Sequence, residues 1–218
     1  MNTLFLFTKP AVPGRCKTRL IGELTAEEAA DLHAAFRDDV AERLARGSFL
    51  FMVAWALDND ESLPPSGVPG ERQRGDDLGE RLYNALAGAP AGAAGVVGSD
   101  HPELALETVE KAFQHLANGT DLVLGPAADG GYYLVAVRTE KLHRELFEGI
   151  PWSTEKVFDE TMRRADKLGL RTELLPVGHD VDHPEDLERL VERLRDSPRR
   201  CPRTRRLLSA WGRLEIME

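Results

Sequence analysis

Asn2-Thr3-Leu4-Phe5-Leu6-Phe7-Thr8 runs directly into Lys9-Pro10-Ala11-Val12-Pro13-Gly14-Arg15-Cys16-Lys17-Thr18-Arg19-Leu20. Four consecutive apolar residues, Leu4 to Phe7, predict a strand covered on both faces, as in a parallel sheet. Residues 9–22 then read as a loop shaped by Pro10, Pro13 and Gly14. Downstream, Thr25 and Glu28 form a capping box, and Leu32, Phe36, Val40 and Leu44 recur every four residues, which predicts a helix to about Arg46. Further strands are expected over 49–57, 93–98, 121–125, 132–137 and 170–176. Helices are expected over 77–87, 104–116, 142–147, 154–168 and 184–194, with Ser153 or Thr154 as N-cap of the fourth. Residues 58–74 form a polar, Pro/Gly-rich connection. Strands alternating with helices imply an α/β three-layer sandwich around a mostly parallel sheet.

The 218 residues contain neither an internal repeat nor a linker that would divide them, so residues 1–194 are expected to form one domain. Residues 195–218 are a basic tail, starting around Ser197 and Pro198, with a helix expected over 204–214. With 42% hydrophobic and 30% charged residues, the composition is neither that of a disordered chain nor that of a membrane protein. The apolar start is too short for a signal peptide or a spanning helix, so a cytoplasmic location is expected. Cys16 and Cys201 give no disulfide framework and no zinc-ligand spacing. A net charge of −9 argues against a nucleic-acid partner. The tail carries seven arginines against three acids, which leaves residues 1–194 at −13.

An acidic body repels anionic substrates unless its cations are concentrated or a divalent ion intervenes. Lys9, Arg15, Lys17 and Arg19 are concentrated: four cations within eleven residues, just beyond a strand, where α/β folds bind ligands. A solvated basic loop is the plainer alternative, and no Walker A or dinucleotide fingerprint is present. Cys16, between two cations, reads first as an incidental small residue, with a depressed pKa as the alternative. The string Asp-His-Pro-Glu occurs twice, from Asp100 and from Asp182, each time before a helix. Helix capping alone accounts for both. The other reading brings Asp100 and Asp182 to one divalent cation, with Asp180 as a third candidate. Asp129-Gly130-Gly131-Tyr132-Tyr133 is either an ordinary turn or a close backbone approach to a ligand. Arg81 could reach an anion or an ordinary surface partner. Trp152, Ser153 and Thr154 stand at a helix start, where anions are also favoured. His33, His115, His143 and His179 show no ligand or triad spacing.

Together, six motifs resemble a bacterial family with the glycosyltransferase-A (GT-A) fold, often labelled radical-SAM/selenodomain-associated transferase 1. They are the Lys9–Leu20 stretch quoted above, Asp77-Leu78-Gly79-Glu80-Arg81, Gly98-Ser99-Asp100, the Gly125 to Tyr133 stretch, Ile150-Pro151-Trp152-Ser153-Thr154 and Asp180-Val181-Asp182. The resemblance covers residues 3–194 and extends to the phospholactate guanylyltransferases. It implies a nucleotide-diphospho-sugar-transferase-like fold acting on a nucleotide with Mg²⁺ or Mn²⁺. It places Lys17 and Arg19 towards a triphosphate, with Lys9, Arg15 and Arg81 as further phosphate ligands. Asp100 and Asp182 become metal ligands, and Lys17, Arg19 and Asp100 the catalytic set. Asp129, Gly130, Gly131, Tyr132, Trp152, Ser153 and Thr154 would face the acceptor. His101 replaces the family's usual cysteine, and Asp100 lacks the second aspartate of a glycosyltransferase Asp-x-Asp. The leading expectation is nucleotidyl transfer from a nucleoside triphosphate to a small anionic acceptor. Glycosyl transfer from a nucleotide sugar and non-catalytic nucleotide binding are the alternatives.

Overall fold

The computed structural model describes residues 1–215 except residues 59, 66 and 198. The first strand, β1 (Asn2–Thr8), lies inside the sheet, as its unbroken apolar run requires. The remaining strands are β2 (Leu50–Trp55), β3 (Gly70–Arg72), β4 (Ala93–Gly98), β5 (Leu122–Pro126), β6 (Tyr132–Arg138) and β7 (Thr172–Leu174). They form one sheet in the order β3-β2-β1-β4-β6-β5-β7. Only β6 runs antiparallel, to β4 on one side and β5 on the other. The alternation along β1 sets the layers. Leu4 and Leu6 face one core with Val40, Leu44, Val109 and Phe113, and Phe5 and Phe7 face the other with Leu82, Leu86, Phe147 and Ala165.

The first of those cores lies under α1 (Ala26–Leu44) and α3 (Leu106–Ala117), the second under α2 (Leu78–Gly88) and α4 (Val157–Lys167). The Thr25–Glu28 capping box starts α1 as the sequence predicts. Three local expectations change. The 58–74 connection contains β3, a three-residue edge strand too short to leave a pattern. Instead of a helix, residues 142–147 hold a single 3₁₀ turn, Arg144–Leu146. The N-cap of α4 is Lys156, without a side-chain cap bond; Thr154 Oγ1, just ahead of it, donates to Pro151 O at 2.7 Å and accepts from Lys156 N at 3.3 Å.

A third core gathers Leu20, Leu32, Phe36, Val181, Leu187, Leu190 and Leu208. It joins α1 to α5 (Pro184–Arg195) and to α6 (Pro202–Ala210), the helix of the basic tail. Buried Asp39 on α1 accepts from Arg203 N and Thr204 N, both at 2.9 Å, and from Thr204 Oγ1 at 2.7 Å. Those bonds satisfy backbone donors of the first turn of α6, which would otherwise be orphaned. Pro198, near the expected start of the tail, lies outside the described residues. No helix among the described residues is long and apolar enough to cross a membrane.

Candidate active site

β1 has β2 on one side and β4 on the other, while the chain reaches β4 only after β2 and β3, so the strand order reverses between β1 and β4. Crevices beyond the carboxyl ends of such strands are where open α/β sheets bind ligands. The loop after β1 brings Lys17 and the loop after β4 brings Asp100. A third segment, 178–182, leaves β7 and is held across the sheet ends by Gly178 N to Pro126 O (2.8 Å) and Val181 N to Asp100 O (2.9 Å). The two Asp-His-Pro-Glu loops therefore touch.

Lys17 joins them. Its side chain is only 2% exposed, and Nζ contacts Asp100 Oδ1 at 2.5 Å, Val181 O at 2.7 Å and Asp182 Oδ1 at 3.0 Å. All three ammonium protons are used. Burial pushes this ammonium towards neutrality, but Asp100 and Asp182 outweigh it and hold its pKa above the ordinary value. Burial likewise pushes Asp100 up, and Lys17 prevails and holds it ionised. The backbone of Lys17 is left-handed, with φ 47° and ψ 37°, a conformation that costs a non-glycine residue about 1–3 kcal/mol. In this structure Lys17, expected to face a triphosphate, is an internal partner of two carboxylates.

Neither aspartate caps a helix. The N-cap of α3 is Ala105, and the N-cap of α5 is His183, with Asp186 accepting from His183 N at 2.9 Å and Asp182 N at 3.2 Å. Asp100 and Asp182 remain 42% and 35% exposed at their side chains, and Asp182 lines the crevice. Asp180, the third candidate ligand, has its Oδ1 buried without a hydrogen-bond partner. Burial, followed by the charges of Asp100, Asp182 and Asp129, pushes its pKa up to about 8, against the opposing effect of Lys17. His33, which spacing did not single out, lies 4.0 Å from Asp100 Oδ1 through Nδ1 and 3.0 Å from Lys9 O through Nε2. Burial lowers its pKa, with Asp100 opposing. The available signal was a histidine on the apolar stripe of α1, next to Leu32. Thr8 and Ser99, ending β1 and following β4, complete this floor with a 3.1 Å hydroxyl bond.

The four cations of the first loop separate. Arg15 pairs with Asp58 at 2.5 Å and Glu61 at 3.0 Å, out on the surface. Lys9 is exposed, and so is Arg19, which lines a crevice of about 210 Å³ with Asp129, Asp180, Asp182 and Arg189. Burial raises the Cys16 thiol despite Lys9 and Lys17, in keeping with an incidental buried residue and against the depressed-pKa alternative. Arg81 bonds Gly75 O through Nε at 3.0 Å and is not part of this crevice. Asp129 Oδ1 accepts from Gly131 N at 2.9 Å, shaping the rim. Gly130 has φ 87°, and a Cβ there would lie 2.3 Å from Glu155 O, so close packing on the 153–156 segment explains this glycine. Tyr132 and Trp152 are displaced from the expected acceptor surface. Their rings meet edge-on at 6.4 Å against the α2/α4 core, and Trp152 faces Gly79. Ser153 (φ 63°) and Thr154 are exposed.

Residues 23–154 match a family described as an uncharacterized protein conserved in bacteria, DUF2064. A Methanopyrus kandleri strain AV19 protein named 2-phospho-L-lactate guanylyltransferase is 39% identical over 123 residues, 55% of this chain and 59% of that protein. The matched region thus spans less than two thirds of that relative. A solved structure from Desulfovibrio desulfuricans G20, described as a nucleotide-diphospho-sugar transferase, is 30% identical and superposes with a TM-score of 0.90 over 97% of this chain and 95% of its own. A cytidylyltransferase from Leptospira borgpetersenii serovar Hardjo-bovis shares the fold at 13% identity and a TM-score of 0.57, covering 100% and 97% of the two chains. The sheet order, the loops that end at its switch point and these matches agree: the chain belongs to the bacterial DUF2064 family and has the α/β fold of the nucleotide-diphospho-sugar transferases.

Proposed function

We propose that this protein is a nucleotidyltransferase that passes a nucleotidyl group from a nucleoside triphosphate to a small anionic acceptor and releases pyrophosphate. The observation that carries the reading is the gathering of Asp100, Asp180 and Asp182 beside exposed Arg19 at the topological switch point. The name of the Methanopyrus relative supports the reaction class. We assign the chemistry to residues 1–194. Phosphoryl chemistry of this kind asks the protein mainly for charge neutralisation and alignment. Arg19 and Lys9 would meet the phosphates, and Arg15, tied to Asp58 and Glu61, would fix the loop that carries them. Asp129 to Gly131, with Ser153 and Thr154, would form the acceptor rim.

A divalent cation, Mg²⁺ or Mn²⁺, fits the donor chemistry of this site. Hard carboxylate oxygens suit it, and the buried Asp180 Oδ1 has no hydrogen-bond partner. Among the described residues no three His, Cys, Asp or Glu side chains form a ready-made cage; Lys17 bridges two of the three aspartates. When bound by Asp100 and Asp182, with Asp180, such an ion would neutralise phosphate charge. The reading is tested by a thermal-shift screen of nucleoside triphosphates and nucleotide sugars with and without Mg²⁺. A triphosphate at 100 times its Kd should stabilise the fold by about 2.7 kcal/mol, and Asp100→Ala should remove the Mg²⁺-dependent part. Stabilisation by nucleotide sugars alone would sink the reading. Glycosyl transfer is the second reading, favoured by the description of the Desulfovibrio protein. It would release nucleoside diphosphate in place of pyrophosphate.

A further inference from the structure

Lys17 and a divalent ion make the same demand on the site. The ammonium lies within 3.0 Å of one oxygen from Asp100 and one from Asp182, and it is sealed from solvent on its inner side. Asp182 lines the crevice and the Asp100 side chain is partly exposed, so both carboxylates can be reached by an arriving ion. An ion on the open flank of the same two carboxylates would lie close to the ammonium, and two cations at such short range repel each other strongly. Withdrawal of Lys17 would relieve that repulsion. Lys17 has the means: a flexible four-carbon stem on a loop whose neighbours Arg15 and Arg19 are already exposed. Its left-handed backbone conformation is also one that withdrawal could relax.

We propose that Lys17 is a positioning residue that serves as the resident counter-cation of Asp100 and Asp182, and that a divalent ion displaces it into the crevice. The inference rests on the reading that this site takes a divalent ion. Before loading, Lys17 keeps two neighbouring carboxylates together that would otherwise repel each other. After loading, its three N–H donors are released beside Arg19, where they can meet an anion. Metal binding and the supply of a phosphate-facing lysine are thus one event.

The experiment is Mn²⁺ binding by calorimetry, without nucleotide, to the full-length wild type and to Lys17→Met and Lys17→Arg. Lys17→Met removes the competitor and should bind Mn²⁺ about tenfold more tightly, the equivalent of roughly 1.4 kcal/mol. Lys17→Arg keeps the charge and should stay near wild type. Because Lys17→Met could fail to fold, the wild type is also footprinted with an amine-acylating reagent, and the labelled lysines are read by mass spectrometry. Lys17 should be protected in EDTA and labelled several-fold faster in saturating Mn²⁺, while exposed Lys111 labels equally in both. Folded Lys17→Met binding Mn²⁺ no more tightly than wild type, or Lys17 staying protected in saturating Mn²⁺, overturns the exchange but leaves nucleotidyl transfer standing. Absence of Mn²⁺ binding to the wild type overturns both the exchange and the metal reading.

Discussion

Asp180 is the residue whose state depends most on its neighbours. Burial and the charges of Asp100, Asp182 and Asp129 hold its pKa at about 8, far above that of an unfolded aspartate. Between the unfolded value near 4 and pH 8 the native state binds the extra proton, so stability without divalent ion falls as pH rises through that window. Asp180→Asn removes the penalty. In EDTA the variant should melt a few degrees above wild type at pH 8, since 1 kcal/mol shifts Tm by about 2–4 °C in a chain of this size. The two should converge towards pH 4. A wild type whose Tm is flat from pH 5 to 8 while Asp180→Asn gains nothing would contradict the assignment. Cys201 and Cys16 give a second check. Burial pushes the Cys201 thiol up to about 11 and raises Cys16 as well. Neither should react with a thiol reagent at pH 8 until the protein is denatured, because the thiolate is the reactive form.

At this scale the sequence was legible where charge was clustered and opaque where burial decides. Asp100 and Asp182 were visible as a repeated string. Their freedom from capping duty was not, since it depends on α3 starting after Ala105 and α5 after His183. Lys17 and Arg19 looked equivalent two residues apart. The left-handed turn at Lys17 sends one inward and leaves the other outside.

Among the elements, β1 and α1 were readable because their patterns are long. β3 was not, because three edge residues carry no period. α6 shows how a basic segment can be structural. Beyond its bonds to Asp39, the segment leading to it grips the loop behind Asp100. Cys201 Sγ donates to Pro102 O at 3.1 Å, and Arg43 on α1 donates to Pro102 O and Leu104 O at 2.8 Å. Glu103 pairs with Arg193 at 2.5 Å and Arg200 at 3.6 Å. Asp39→Ala should strand the donors of the first turn of α6 and cost about 2–3 kcal/mol. Limited trypsin digestion should then cut first within residues 199–206, and an unchanged melting curve and digestion pattern would count against this role. Gly130→Ala adds a Cβ 2.3 Å from Glu155 O at a positive φ, so it should separate the 127–131 turn from the start of α4. The expected sign is a lower Tm with a weakened acceptor KM.

For the whole molecule, the net charge of −9 describes the surface and not the site. Many of the acids are paired with arginines, whereas Asp100, Asp180 and Asp182 gather around the buried Lys17. The order β3-β2-β1-β4 places that crevice where the chain reverses its direction of growth, so the fold itself selects the loops that can carry chemistry. The family resemblance read from the loops and the architecture found in the structure arrive at the same fold. The direct measurement follows the α-phosphorus. The protein is incubated with α-³²P-labelled nucleoside triphosphates, Mg²⁺ and a pool of phosphorylated and carboxylated metabolites, beside an Asp100→Ala control. The account predicts label in a new nucleotidyl product, pyrophosphate in equal amount, and neither with Asp100→Ala. No label transfer from any triphosphate, with nucleoside diphosphate released from a nucleotide sugar in its place, would contradict it.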